Sequence, residues 1–376
     1  MKLRVERDVL AEAAAWTARV LPTRPTLPVL AGLRLDAGNS RLSLSGFDYE
    51  VSGRVDVEAE VADEGSALVS GRLLADICRS LPAGRPVDLA ADAGKVSLTC
   101  GGARFTLLTM PLEDYPELPA MPAAAGILDG PVLAAAVAQV VVAAGRDDML
   151  PVLTGVRIEI DGETVTLMAT DRYRLAVREL AWRPGRPDAP AVVALVPART
   201  LADTAKSFGS GEVSLALAES GQDNLVGFAA GGRRTTTRLL DGDFPKVRSL
   251  FPTEVATKAR VDTAAFIESA RRVALVAERN TPLRLSFRAE EVVLEAGSGE
   301  DAQASEALPA RVEGEPITIG FNPGYLLDGL GALGAPVAHL AFTQATRPAV
   351  LSGAADDDAD PSAAYRYLIM PVRLSG

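Results

Sequence analysis

The chain has 376 residues, of which 48% are hydrophobic and only 5% aromatic, and a formal net charge of −11. That length suggests two or three domains of about 100–200 residues, with cores filled by Val, Leu, Ile and Ala. The acidic balance argues against a nucleic-acid partner, since phosphate binding calls for a basic footprint, but it leaves the distribution of charge open. Cys78 and Cys100 lack the spacing of a metal site or a disulfide framework, which suits a reduced, cytoplasmic setting. The charged start, Met1-Lys-Leu-Arg-Val-Glu-Arg-Asp8, has no apolar region behind it and does not read as a signal peptide. The longest apolar run, 131–144, is too short to span a bilayer and is interrupted by Gln139. A soluble protein with no membrane association is expected.

In chain order, the first predicted element is an amphipathic helix, with Leu10, Ala13, Ala14, Thr17, Ala18 and Leu21 at helical spacing. Leu27-Pro-Val-Leu-Ala-Gly-Leu-Arg-Leu35 follows. Residues 41–45 and 51–55 then alternate apolar and polar side chains, as half-buried strands do. A second helix is predicted at about 71–81, and strands at 95–100 and 104–109. Asp114-Tyr-Pro116 closes the unit, ahead of a Pro- and Ala-rich linker at 119–127.

The same grammar then recurs. Position 27 corresponds to position 150, where Leu150-Pro-Val-Leu-Thr-Gly-Val-Arg-Ile158 stands at an offset of 123, and Phe47-Asp48 meets Thr170-Asp171 at that offset. Thr281-Pro-Leu-Arg-Leu285 is a weaker third copy. Arg72-Leu-Leu-Ala-Asp76 resembles Arg199-Thr-Leu-Ala-Asp203 and Gly324-Tyr-Leu-Leu-Asp328. The closing motif reappears as Asp243-Phe-Pro245 and is aligned with the terminal Met370-Pro371. Opening helices are predicted through Leu133, Val137, Val140, Val141 and Ala144, and through Phe266, Ala270, Val273, Ala274 and Ala277. Second helices are predicted at about 198–208 and 322–333, a strand at 163–167, and a linker near 252–257. The reading is three tandem α+β domains, 1–121, 127–252 and 253–376, each with two helices on antiparallel sheet and about eight short strands.

Catalytic patterns are missing. The only histidine, His339, sits in an alternating, strand-like context, so triads and His-based metal sites have little support. Gly209-Ser-Gly211 and Gly297-Ser-Gly299 read as isolated turns. Asp356, Asp357, Asp358 and Asp360 lie among Gly, Ala, Pro and Ser and read as a solvated loop. No metal and no catalytic residue is assigned. The terminal stretch from Tyr365 reads as a closing β-strand of the core, with the rim of a binding groove as the sharper alternative.

Leu27-Pro-Val-Leu30, Leu150-Pro-Val-Leu-Thr-Gly-Val-Arg157, Ala169-Thr-Asp171 with Arg174-Leu-Ala176, Phe321-Asn322 with Tyr325-Leu-Leu-Asp328, and Met370-Pro-Val-Arg-Leu374 carry a family resemblance. Over its whole length the chain resembles the bacterial DNA sliding clamp, the β subunit of DNA polymerase III. Its Ala-, Arg- and Gly-rich style is similar to actinobacterial members. The resemblance implies a non-catalytic processivity factor without cofactor, cytoplasmic and nucleoid-associated. It implies a homodimeric head-to-tail ring with helices inside and sheets outside, encircling double-stranded DNA without sequence preference. Basic residues on or near the predicted helices include Arg7, Arg19, Arg146, Arg271, Arg272 and Arg279; Arg24, Arg72, Arg79, Arg199 and Lys206 are the ones assigned to face DNA.

The implied partners are the polymerase III alpha subunit, the clamp loader and other proteins bearing a clamp-binding motif. They would insert a short peptide into a groove between the second and third domains. By motif, Leu153, Thr170, Arg174, Leu175 and Pro245 form one part of it and Asn322 and Tyr325 another. Met370, Pro371, Val372, Arg373 and Leu374 form its terminal wall. Met lining suits a site that accepts varied peptides. Arg172-Tyr173, Asn280 and Thr346-Arg347-Pro348 depart from the common family pattern and bear on peptide preference. Arg104 and Phe105, with Ala274 and Leu275, match positions where the two chains of the ring meet. Two other readings compete: a tandem-repeat protein-interaction scaffold that does not encircle DNA, and a hydrolase built around Asp171 or His339.

Overall fold

The computed structural model describes residues 1–92, 94–186, 188, 190–217, 224–278, 281–297 and 302–374. Arg279, Asn280, Ser298, Gly299 and the last two residues of the terminal stretch lie outside this set.

Six α-helices are formed among the described residues: α1 (Arg7–Thr17), α2 (Gly71–Ser80), α3 (Gly130–Val141), α4 (Ala198–Ser207), α5 (Thr263–Ala274) and α6 (Pro323–Ala332). They match the six predicted helices within a few residues. In α1, Leu10, Ala13, Ala14 and Thr17 are buried, so the helical period does mark the inward face. The helix ends at Thr17, and residues 18–20 tighten into a 3-10 turn, leaving Leu21 just beyond it.

Each helix-led opening is preceded by a strand, which corrects the sequence reading. Lys2–Glu6, Ala124–Asp129 and Thr257–Asp262 run directly into α1, α3 and α5. In Lys2–Glu6 only Leu3 and Val5 are buried. Two apolar residues among charges are too few to stand out as a period of two. The strand at Ala124 also shortens the linker expected at 119–127. The repeat therefore holds nine short strands per copy among the described residues, not about eight.

The chain forms two compact units. Unit 1 comprises Met1–Pro131, Arg183–Arg186 and Asp203–Leu239. It contains a five-stranded sheet in the order Glu60–Asp63, Lys2–Glu6, Pro86–Asp92, Lys95–Cys100, Ala103–Leu108. Its nine-stranded sheet runs Arg183–Pro184, Ala124–Asp129, Glu212–Leu217, Leu225–Ala230, Arg233–Arg238, Val51–Glu58, Arg41–Phe47, Gly32–Gly38, Gly65–Ser70. The seam joining sequence-distant halves is the pairing of Arg233–Arg238 with Val51–Glu58.

Unit 2 comprises Val132–Trp182, Pro187–Ala202 and Leu240–Gly376. Its nine-stranded sheet runs Val192–Pro197, Gly155–Asp161, Thr164–Thr170, Arg174–Ala181, Tyr365–Ile369, Ala349–Ala354, Val337–Phe342, Thr257–Asp262, Arg311–Gly314. Here the seam is the terminal strand, with Arg174 opposite Ile369 and Leu175 opposite Leu368. A four-stranded sheet runs Ala304–Pro309, Glu291–Ala296, Leu283–Arg288, Ile317–Phe321. His339 lies in a fully buried strand, as its alternating context suggested. The Asp356–Asp360 run is an exposed loop tied to Arg311 by Asp358 at 2.9 Å.

The offset of 123 reaches into conformation. Tyr49 and Arg172, which it relates, both take a left-handed backbone, at φ 75 and 79°. The terminal motif, however, is aligned differently from the sequence reading. Met110, Leu240 and Val372 each donate their N–H to the strand before the second helix of a copy, at Leu68, Leu195 and Gly320. Met370-Pro371 therefore corresponds to Leu108-Thr109, several residues before Tyr115-Pro116.

Candidate functional site

The site in unit 2 is organised by the turn that follows the strand Thr164–Thr170. Asp171 accepts the N–H groups of Tyr173 and Arg174 on Oδ1, each at 3.0 Å, an Asx-type turn native to Asp. Thr170 donates its hydroxyl to the Arg174 carbonyl at 2.6 Å and accepts the Arg172 N–H at 3.2 Å. This geometry exposes Arg172 and Tyr173 and sends Arg174 inward, where it is 5% exposed.

A buried guanidinium needs its charge and its donors matched. Arg174 donates from Nε to Asp171 at 2.9 Å and from Nη1 to Asp328 at 2.6 Å. Its guanidinium also lies 4.3 Å from the ring centre of Tyr325, a cation–π contact. Burial alone would lower its pKa, but the hydrogen bond to Asp328 and the charge of Asp171 hold it above the ordinary guanidinium value. The side chain stays a fixed cation.

The facing wall is α6. Asn322 caps it, accepting the Tyr325 N–H at 3.1 Å, and Pro323 fills a first-turn position that needs no donor. Tyr325 then stacks against Tyr173 at 6.2 Å between ring centres, tilted by 24°. Tyr367 reaches from the terminal strand to donate to the Tyr325 carbonyl at 2.8 Å. Gly329 is required there, because a Cβ would sit 2.4 Å from the Tyr367 ring.

The terminal segment is latched at two points. Met370 donates to the Tyr173 carbonyl and Val372 to the Gly320 carbonyl, both at 2.8 Å. A Cβ on Gly320 would stand 2.7 Å from Leu374, so that glycine seats the tail.

Between these walls is a cavity of about 570 Å³. Leu153, Arg174, Asn322 and Tyr325, four of the expected groove residues, line it. Thr170 and Leu175 are buried beside it; Leu175 belongs to an apolar cluster with Met168, Val177, Leu195, Phe244, Val247 and Leu368. Pro245 is exposed next to Phe244. Met370 is 37% exposed, Pro371, Val372 and Leu374 are half-buried, and Arg373 is exposed. The sequence reading did not assign Arg146, Asp147, Leu150, Asp171 or Asp328 to the groove, and all of them line the cavity, as do Arg172 and Tyr173, which it placed at or near the groove. The partners of Arg174 were findable: Asp171 and Asp328 lie in the repeat motifs, and a buried cation needs acids.

Elsewhere, Arg24, Arg72, Arg79 and Lys206 are exposed in unit 1, and Arg199 is exposed in unit 2. Arg72 donates to the Leu21 and Pro22 carbonyls at 3.3 Å, and Arg79 approaches Asp76 at 3.5 Å. Arg24, Arg72, Arg199 and Lys206 form no ion pair among the described residues. Arg104 is exposed and Phe105 packs on the core of unit 1. Both lie on the edge strand Ala103–Leu108, whose Leu108 is 73% exposed. In unit 2, Ala274 is half-buried and Leu275 is 84% exposed. His339 is buried, with Nδ1 unpartnered, and burial with nearby Arg260 and Lys258 lowers its pKa to about 4. Among the described residues no group of three or more His, Cys, Asp or Glu is placed to hold a metal, and no helix is long and apolar enough to cross a membrane.

Repeated two-helix, antiparallel units with a groove walled by the terminal strand are the architecture of a clamp-type repeat protein. Residues 1–119, 128–246 and 248–373 match the N-terminal, central and C-terminal domains of the DNA polymerase III beta subunit. The chain is 62% identical to the beta sliding clamp of Streptomyces coelicolor over the full length of both. It is 53% identical to that of Micrococcus luteus over 83% of this chain and all of the relative. Among solved structures, the DNA polymerase sliding clamp of Bacillus subtilis superimposes with a TM-score of 0.91 at 27% identity, covering all of both chains. The chain belongs to the DNA polymerase III beta subunit family, the bacterial sliding clamps. Its function is that of a DNA polymerase processivity factor.

Proposed function

We propose that two copies of this chain close head to tail into a ring around duplex DNA, and that the unit 2 groove tethers the polymerase, clamp loader and repair proteins through short peptides. The domains would run 1–121, 127–252 and 253–376, and the protein would act in the cytoplasm as a non-catalytic accessory subunit. The groove is the observation that carries the tethering role. It combines a fixed, charge-matched Arg174, an apolar cluster beside it and a partly exposed Met370, the mix of few polar anchors and apolar surface that peptide sites use.

Sheet edges support the ring. The five-stranded sheet of unit 1 ends on Ala103–Leu108, and the four-stranded sheet of unit 2 ends on Ala304–Pro309. Each is an unpaired edge, which pairs readily with another chain. Joined between copies they would make a third nine-stranded sheet, with Phe105, Leu108 and Leu275 covered and Arg104 at the rim. Inside the ring, Arg24, Arg72, Arg79, Arg199 and Lys206 would meet phosphates loosely and without base readout. Such contact permits sliding, and topology provides retention.

Two experiments test this. Protein loaded on nicked circular DNA should stay bound in high salt and be released on linearisation; retention indifferent to topology would favour a scaffold. Truncation after Ile369 should abolish binding of a polymerase-derived peptide in a folded protein, and unchanged affinity would overturn the groove assignment.

A further inference from the structure

One face of the nine-stranded sheet in unit 2 carries charge that the groove does not use. Along the strand Val337–Phe342, Ala338, Leu340 and Phe342 are almost fully buried, and Phe342 meets Phe287 at 5.0 Å between ring centres. Alternation puts Val337, His339 and Ala341 on the opposite face. Register sets Arg260 opposite His339 and Arg311 opposite Arg260, so the three form a row on that face. Lys258 and Glu313 stand opposite each other two residues along. The patch therefore sets three cations and an imidazole against one acid, on a chain whose net charge is −11.

A strap, residues 355–364, is held from this face. It joins Ala349–Ala354 to Tyr365–Ile369 yet reaches sideways, where Arg311 binds Asp358 at 2.9 Å and Arg260 donates to the Ala359 carbonyl at 2.7 Å. The match in charge is poor. Among the described residues, Arg260 holds this carbonyl and no carboxylate, and Lys258 has no ion pair. Asp356 is spent on its own turn, accepting the N–H groups of Asp358 and Ala359, while Asp357 and Asp360 are exposed. His339 is buried with Nδ1 unpartnered, which is costly for a polar atom. The strap is also weakly anchored. Backbone bonds at Ser362 and Ala364 hold its returning end, but it buries no large side chain, and its one ion pair is exposed and adds little. Segments with few buried apolar contacts open at low cost.

We propose that this face of unit 2 is a second docking surface, which takes an extended acidic segment of another protein in place of the strap. The strap is the template for that occupant, since Asp358 and Ala359 already lie against Arg311 and Arg260. A segment with a carboxylate at both places would give Arg260 the forked, charge-assisted hydrogen bonds that a carbonyl does not. A further carboxylate would meet Lys258. Burial, with Arg260 and Lys258 nearby, keeps the His339 imidazole neutral, so its ring has one N–H to give to an incoming oxygen. The occupant needs no apolar anchor, which separates this surface from the groove.

The test uses the full-length chain and a fluorescein-labelled peptide with the strap's own sequence, Ala-Asp-Asp-Asp-Ala-Asp-Pro-Ser, beside the same peptide with Asn for every Asp, in fluorescence anisotropy titrations. Wild type should bind the Asp peptide at low salt and release it in 1 M NaCl. Asp357→Asn with Asp358→Asn and Asp360→Asn discharges the strap but keeps the turn at Asp356, and should tighten binding about five- to tenfold. Lys258→Glu, at an exposed side chain, and Arg260→Gln should each weaken it by about the same factor. The chain has one histidine, so the imidazole NMR signal of protein carrying isotope-labelled histidine should move with the Asp peptide and not with the Asn peptide. Equal binding of the two peptides, affinity indifferent to both Lys258→Glu and Arg260→Gln, or no binding even by the discharged-strap variant would overturn the proposal. Competition by a polymerase-derived groove peptide would overturn it in favour of the groove, and displacement by a duplex oligonucleotide in favour of a nucleic-acid surface.

Discussion

The turn after Phe47 in unit 1 and the turn after Thr170 in unit 2 have the same backbone and opposite uses. Asp48 accepts the N–H groups of Glu50 and Val51 at 2.9 and 2.6 Å, as Asp171 does for Tyr173 and Arg174. Beneath the first turn, Ser52 pairs with Thr236, and their hydroxyls are 2.6 Å apart. Beneath the second, Leu175 pairs with Leu368, both almost fully buried in the apolar cluster. Beside the first turn, Phe47 packs with Val29, Leu68 and Tyr115. In its place unit 2 has Thr170, whose hydroxyl is spent on the turn itself. One copy sets a buried aromatic beside a polar seam, and the other a buried threonine beside an apolar one. The backbone of the turn is kept while the side chains beside and beneath it change.

The largest effect should come from the seam. Leu368→Ala should destabilise unit 2 by about 2–5 kcal/mol in denaturant unfolding, through lost burial and a residual cavity. Thr236→Ala, at the matching place in unit 1, should cost only about 1 kcal/mol. Equal losses would break the contrast between the two seams.

Next is the residue beside the turn. Thr170→Phe should lower peptide affinity at least about tenfold, because Thr170 is 4% exposed and its hydroxyl closes the turn that carries Arg174, at a stability cost of about 1–3 kcal/mol for overpacking. The reverse change, Phe47→Thr, should destabilise unit 1 without creating a peptide site, because Ser52 and Thr236 are polar. Peptide binding gained by Phe47→Thr would show that the residue beside the turn alone matters.

The smallest effect concerns a charge pair both copies share. Arg34 meets Asp36, and Arg157 meets Glu159 at the same offset, but only Glu159 also receives Arg248. Burial pushes the Glu159 pKa up, yet the hydrogen bonds from Arg248 and Arg157 outweigh it and leave it below the ordinary carboxyl value. A lowered carboxyl pKa contributes stability above the unfolded value and loses it as pH falls through the folded one. Arg248→Ala should therefore cost about 0.5 kcal/mol near neutral pH. That difference should vanish once pH has fallen through the lowered folded pKa of Glu159, so that the carboxyl is protonated in both proteins. A cost that persists into acid would assign the effect to packing.

Much of this was legible in the chain. Helical periodicity through Leu10, Ala13 and Ala14, or through Phe266, Ala270 and Val273, marks inward faces because a helix buries one stripe. The offset of 123 relates residues of equal backbone conformation because the turn at Asp48 and Asp171 is closed locally by its own side chain. Short opening strands such as Lys2–Glu6 were not legible, since two apolar residues carry no reliable period and their strand state depends on a partner at Pro86–Asp92.

The site divides along the same line. Sequence by itself determined the repeat and the six helices, while Leu153, Arg174, Asn322 and Tyr325 were expected in a groove only through the family resemblance. Only the tertiary structure decided that Asp171 and Asp328 neutralise Arg174, that Arg172 and Arg146 lie exposed at the rim of the cavity, and that the tail seats on Gly320. Those facts depend on contacts between residues up to 154 positions apart. Local sequence sets a residue's backbone and chemistry, whereas the balance of charge in a cavity is set by which distant side chains the fold brings within reach.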